Sequence, residues 1–170
     1  MGKLVHKLAV VTGASKGSGA EIARELAAVP EANEMEAQSV ALTNLTAELG
    51  KLKTLHGLTP QTNLAEGEGF VRLAPYRDST IFAFKSSGKT AWERHPDGEE
   101  LVQIVEGKAI LDIATDDGPP RSFEVSAGMI AIVPQGVWHR AHFPDATTLI
   151  SVTPGQSEFV QSDVDDPRTA

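Results

Sequence analysis

From Gly69 onward the chain runs in short segments rich in β-branched and aromatic residues, each ended by turn formers, and this rhythm limits what it can fold into. The breaks fall at Arg77-Asp78, Ser87-Gly88, Pro96-Asp97-Gly98, Glu106-Gly107, Asp116 to Pro120, Ala127-Gly128, Pro134-Gln135-Gly136 and Pro144-Asp145. They predict strands over 69–76, 79–84, 89–95, 99–105, 108–114, 121–125, 129–133, 138–143 and 147–153. No helical period separates these runs, so the pattern argues for an antiparallel sandwich or barrel. After Pro154 the chain turns polar and acidic, and residues 156–170 are expected to form a flexible tail.

Ahead of the β region, Leu42, Leu45, Leu49 and Leu52 recur at three- and four-residue spacing and predict a helix over about 36–54. Its apolar stripe reads as a packing face for the main body or a partner subunit. Residues 35–68 are then a helix and lead-in segment. The first 34 residues have a different texture: an apolar run, a glycine loop, a helix to about residue 28, and a proline-containing linker. Gly13, Gly17 and Gly19 in "TGASKGSGA" sit where a phosphate cradle would, between a strand and a helix N-terminus. The segment "KLAVVTGASKGSGAEIARELAA" resembles the start of the short-chain dehydrogenase/reductase family, which implies a Rossmann fold and NAD(P). The resemblance ends near residue 28. The parallel strands that complete such a sheet do not follow, and no acidic residue ends a strand where the ribose would need one. The family's Tyr-x-x-x-Lys is also missing, since the only tyrosine, Tyr76, is followed four residues later by Thr80. One βα unit cannot bury both faces of its strand. Residues 1–34 are therefore read as a leader and linker, a vestigial cradle with no bound cofactor expected, and a chain starting at Met35 should keep the function.

Composition narrows the chemistry. The chain has no cysteine, which excludes disulfides, thiolate catalysis and Cys-ligated metal sites. Its 15 basic and 23 acidic residues give a net charge of −8 with no basic patch, so nucleic acid is not an expected partner. No apolar run reaches membrane length, and the four apolar residues before Thr12 are too few for a signal peptide, so a cytoplasmic protein with no membrane association is expected.

Within the β region, "ERHPDGEELVQIVEGKAILDI" and "GMIAIVPQGVWHRAHF" carry Glu93, His95, Glu100 and His139. Glu93 and His95, two apart on a strand, share a face. The turn at Pro96-Asp97-Gly98 sends the chain back so that Glu100 can stand opposite His95. If Glu100 faces inward, Val102 and Ile104 do too, and a carboxylate in such an apolar setting calls for a cation or charged partner. Two imidazoles with one or two carboxylates suit a divalent Mn, Fe, Zn, Ni or Co ion.

These residues resemble the cupins. His95, four intervening residues, Glu100, six more and Gly107 fit that family's first motif from its second histidine onward. Gly128, five residues, Pro134-Gln135-Gly136, two more and His139 fit the second motif as far as its histidine. The resemblance spans about Gly69 to Gly155. It implies an all-β double-stranded β-helix, a jelly-roll barrel over 69–155, with His95, Glu100 and His139 as metal ligands. Two positions depart from the family: Glu93 replaces the first histidine, and Phe143 stands at the final asparagine. Glu93 is read either as a fourth, oxygen ligand or as a solvated carboxylate at the barrel mouth. A metal-free barrel with His95 hydrogen-bonded to Glu100 is the alternative for the core positions.

The expected protein is thus a small cupin barrel holding one divalent metal and a small organic ligand, with Val102, Ile104 and Phe143 as the pocket wall. Dioxygenase, isomerase and decarboxylase chemistry all remain open. A non-catalytic, metal-free binding barrel is the second reading, and an NAD(P)-dependent reductase the third. The remaining marked residues receive structural roles. Glu99 and His142 have the wrong strand parity and are read as solvent-facing, while His6 and His56, which lie outside the motifs, are read as structural or solvent-exposed. Trp138 is read as a core, interface or pocket-mouth aromatic, and Gly107, Gly128 and Gly136 as positive-φ turn residues. Leu101 and Val105 on the outer face, with the leucine stripe, leave apolar surface that a homodimer would cover.

Overall fold

Along the fifth strand of the fold, Glu100, Val102 and Ile104 are buried while Leu101, Gln103 and Val105 are only half-buried, the period-two alternation of a strand with one face on a core. This alternation recurs through a computed structural model of the chain, which describes residues 40–64 and 67–170. The glycine loop at Gly13, Gly17 and Gly19, the expected leader helix, His6 and the first part of the expected 36–54 helix lie outside the described residues.

Among the described residues, ten strands form one folded sheet. They are β1 (Leu55–Leu58), β2 (Phe70–Tyr76), β3 (Ser79–Lys89), β4 (Trp92–Arg94), β5 (Glu100–Glu106), β6 (Lys108–Thr115), β7 (Gly118–Ser126), β8 (Ile130–Val133), β9 (His139–Pro154) and β10 (Glu158–Val160). All pairs are antiparallel except β1 with β3. The organising strand is β9. Its first residues pair with β4 and β6, its last with β5, and β3 runs along it from Ser79↔Pro154 to Lys89↔His142. A single strand thereby passes from one side of the barrel to the other, and the architecture is the expected all-β jelly roll.

The core joins both sides. Val102 and Ile104 of β5 meet Ala109 and Leu111 of β6, with Phe143 and Leu149 of β9 closing the cluster. Phe143 packs edge-on against Phe84, centroids 5.8 Å apart. Gly107 is required at the β5–β6 turn: its φ is 79°, and a Cβ there would lie 2.8 Å from Thr147 Oγ1 and 3.0 Å from the Ala146 carbonyl oxygen.

Four expectations are corrected. The 36–54 helix shrinks, within the described residues, to one turn, α1 (Leu45–Leu49), because Asn44 caps it by accepting from the Ala47 amide and Gly50 ends it. Leu42 stays extended and exposed, and Leu55–Leu58 joins the sheet as β1. The break expected from Asp116 to Pro120 is a two-residue turn, since Pro119 and Pro120 fall on β7, which pairs with β6 alone and so loses no ladder bond on its open side. The break at Pro144-Asp145 is bridged within β9.

The fourth correction concerns residues 156–170, which are not a loose tail. β10 pairs with β4 through Glu158↔Arg94, Phe159↔Glu93 and Val160↔Trp92. Beyond it, the Val164 carbonyl accepts from Trp92 Nε1 and Arg140 Nη1, both at 2.9 Å. Arg168, held by Asp166, donates to the carbonyls of Thr115 and Gly118. Among the described residues no helix is long and apolar enough to cross a membrane.

Candidate metal centre

Four side chains converge inside the barrel mouth. Glu93 lies on β4, His95 one residue past its end, Glu100 opens β5 and His139 opens β9. Glu93 and His139 are direct cross-strand partners. The Gly136 amide donates to the His95 carbonyl at 2.9 Å, and Gln135 Nε2 donates to the Pro96 carbonyl at 2.6 Å, which ties the Pro134-Gln135-Gly136 turn to the strand carrying His95. One potential ligand atom from each of the four residues lies within 4.8 Å of the other three. These are the four residues that the sequence motifs single out, and the fold brings them together.

His95, Glu100 and His139 are buried, and the Glu93 side chain is 25% exposed. Nδ1 of His139 lies 3.0 Å from the Val137 carbonyl oxygen, which can only accept, so that nitrogen carries a proton. In the neutral ring Nε2 is then an acceptor, yet it faces Glu100 Oε2 at 3.0 Å. Two acceptors at that separation need a proton or a cation between them. Nε2 of His95 is buried without a hydrogen-bond partner, 3.3 Å from the same oxygen, while its Nδ1 meets Ser157 Oγ at 3.1 Å. The other oxygen of Glu100 accepts from Thr153 Oγ1 at 2.6 Å. Two imidazole nitrogens and a carboxylate oxygen, each ring anchored through its other nitrogen, make a donor set that fits a divalent cation.

Without a metal, the charges arrange themselves around the same point. Burial would raise the Glu100 pKa, but the hydrogen bond with His139, the close approach of His95 Nε2 and the charges of both rings hold it at about 2. Burial and the charge of Glu100 push Glu93 up to about 7, against the opposing pull of His139 and His95. Burial would lower His139, but its hydrogen bond to Glu100 and the charges of Glu93 and Glu100 raise it above the ordinary histidine value.

The cluster opens into a cavity of about 480 Å³. Val102 lines it as expected. Ile104 and Phe143 do not: both are almost fully buried in the core cluster, because Ile104 lies two residues deeper along β5 and Phe143 turns its ring to Phe84. The aromatic wall comes instead from Phe70, Phe82 and Phe84, and the mouth from residues 58–64 and the C-terminal Ser157, Phe159 and Gln161. Phe82 and Phe84 share a strand parity that could have marked them, but nothing in the sequence marked the C-terminal residues. Glu99 is exposed, and His142 is half-buried with the parity opposite to His139. His56 is exposed beside Ser87, and Trp138 carries the Arg94 guanidinium 4.8 Å above its ring.

Fold and site together define a jelly-roll barrel with a mixed histidine–carboxylate cluster in its mouth. Residues 80–153 match the family model described as "Cupin domain". No curated protein matches the chain. Among solved structures, a cupin-2 domain containing protein from Shewanella frigidimarina is 25% identical over 50% of this chain and 78% of its own, with a TM-score of 0.42. A Neisseria meningitidis protein is 22% identical over 68% of this chain and 100% of its own, TM-score 0.48. A hydroquinone 1,2-dioxygenase from Sphingomonas sp. TTNP3 with 4-hydroxybenzoate bound is 13% identical over 52% and 66%, TM-score 0.44.

Proposed function

We propose that this protein binds one divalent metal ion through His95, Glu100 and His139, with Glu93 as a fourth ligand, and holds a small organic molecule against it. The observation that carries this reading is the meeting of acceptors at one point. The lone pair of His139 Nε2, the unpartnered Nε2 of His95 and Oε2 of Glu100 face each other in a buried space. A cation bound there would polarise an oxygen of the ligand. Glu93 lines the cavity, and the oxygen it does not give to the metal could accept a hydrogen bond from that ligand.

Elemental analysis of wild type beside Glu93→Ala and His139→Ala tests the reading. Stoichiometric metal in wild type, lost in His139→Ala and weakened in Glu93→Ala, is the expected result. Protein purified without chelator yet metal-free, and unable to take up Mn²⁺ or Zn²⁺, would overturn it. A second copy of the chain is the expected protein partner. Ile130 and Ile132, 56% and 54% exposed, stand in register with Gln103 and Leu101 on the outer face of β5 and β8. Light scattering that gives twice the chain mass would support this, and a monomer at high concentration would not.

A further inference from the structure

We infer that the ligand is an uncharged molecule with a single polar end, an aromatic body carrying a hydroxyl group of the phenol class. The inference rests on the metal-centre reading for its polar end and on the cavity wall for the rest. Among the described residues no lysine or arginine lines the cavity. Its charged lining is Glu93 and Glu100, whose two negative charges a divalent cation would only balance. A carboxylate or phosphate ligand would therefore enter a site with no excess positive charge and no guanidinium to pair with.

Most polar side chains of the wall are already engaged with the protein. Thr153 donates to Glu100 and meets Ser151 at 3.1 Å, and Ser157 meets His95. Thr90 Oγ1 donates to the Ala91 carbonyl and accepts from the Ala141 amide. At the mouth Thr59 and Thr62 bond each other, and the Gln61 amide donates to the Gln161 carbonyl. A polyol would find these groups spoken for. Glu93, by contrast, has no described partner nearer than His139 Nε2 at 3.9 Å, so the oxygen it does not give to the metal is open to a hydroxyl donor. The same cavity is lined by the rings of Phe70, Phe82 and Phe84, the first two with centroids 5.0 Å apart. Such rings favour a flat apolar body.

The test is calorimetric titration of the full chain, as purified and after chelation, with phenol, benzoate and glucose, with metal content measured on the same samples. Phenol binding at least about tenfold tighter than benzoate and glucose is expected, weakened severalfold in Phe82→Leu at unchanged melting temperature and in Glu93→Gln. Benzoate or glucose binding as tightly as phenol, or no phenol binding to either form, would overturn the inference. Phenol preference that persists in a chain unable to hold metal upholds the ligand class while removing the metal reading. Bound metal with a preference for benzoate does the reverse.

Discussion

His139 Nε2 stands 3.0 Å from Glu100 Oε2 while the opposite nitrogen of the same ring stands 3.0 Å from the Val137 carbonyl oxygen, so the imidazole is clamped along one line with its lone pair aimed at a buried carboxylate. In the metal-free protein a proton on Nε2 joins the two. Glu100→Ala strips that proton's acceptor and the acceptor of Thr153 Oγ1 together. Breaking a buried pair in this way costs roughly 3–5 kcal/mol. Urea denaturation of metal-free protein should show a loss of that size, with a smaller one for Glu100→Gln, which keeps an oxygen for Thr153. A loss for Glu100→Ala below about 1 kcal/mol would mean the pair is solvated.

The pH dependence of the metal-free protein has a defined sign. Glu93 has a folded pKa of about 7 against a model value of 4.5, so the folded form holds more protons between those values. Its contribution to stability is full below 4.5 and is lost as pH rises through about 7. His139, raised above 6.5, adds a loss of the same sign at higher pH, and Glu100, held at about 2, loses stability only as pH falls from 4.5 toward 2. The melting temperature should fall by several degrees from pH 5 to 8, and Glu93→Gln should flatten that slope. Saturating divalent metal should reverse the trend, because ligands bind it deprotonated. An unchanged slope in Glu93→Gln would assign the effect elsewhere.

Ser157 holds the His95 ring by Nδ1 at 3.1 Å, from a segment sixty-two residues away in sequence. Partners of this kind typically control metal affinity by about 10–100-fold. Ser157→Ala should weaken metal binding within that range while the melting temperature stays within about 2 °C, the shift expected for a loss below about 1 kcal/mol in a chain of this size. Competition titration against a fluorescent chelator measures it. Affinity equal to wild type would leave Ser157 a bystander.

Every strand of the described barrel lies at Leu55 or beyond. A chain beginning at Met35 should therefore keep its solubility, its metal content and its melting temperature within a few degrees. Aggregation of that shorter chain, or loss of metal, would give the first 34 residues a role in the fold.

The convergence of the cluster was legible because strand parity and the spacing of the cupin-like motifs mark its residues. His95, Glu100 and His139 lie at turn ends, where strand parity fixes which way a side chain points, and the glycines and prolines that make those turns are unambiguous in sequence. The helix expected over 36–54 failed for a local reason: Asn44 offers the backbone a cap that starts the helix late, a competition that leucine spacing does not report. The wall residues failed for a different one. Depth along a strand decides whether an inward residue meets the cavity or the core, and Val102 and Ile104 share parity but not depth. The C-terminal segment was least legible, since Glu158-Phe159-Val160 is a three-residue strand whose order comes from partners on β4 and β9.

Arg140 is that segment's main anchor. Its guanidinium, buried on β9, donates to Asp112 at 2.8 Å, stacks 4.6 Å over the Trp92 ring and donates to the Val164 carbonyl. Three contacts of different kinds meet in one planar group, a combination lysine cannot reproduce. Arg140→Ala leaves Asp112 with Ser122 Oγ, and Val164 with Trp92, as the remaining side-chain donor, and removes the charge that balances Asp112, so it should cost roughly 3 kcal/mol. Cleavage in residues 155–170 should become faster than in wild type under native conditions, with Arg140→Lys intermediate. Because β10 carries Phe159 to the cavity mouth and follows directly on Ser157, loosening it should also weaken metal binding. Limited proteolysis followed by mass spectrometry, run beside the metal titration, checks both effects, and a protease-resistant C-terminus in Arg140→Ala would show that the β4–β10 ladder holds the segment without it.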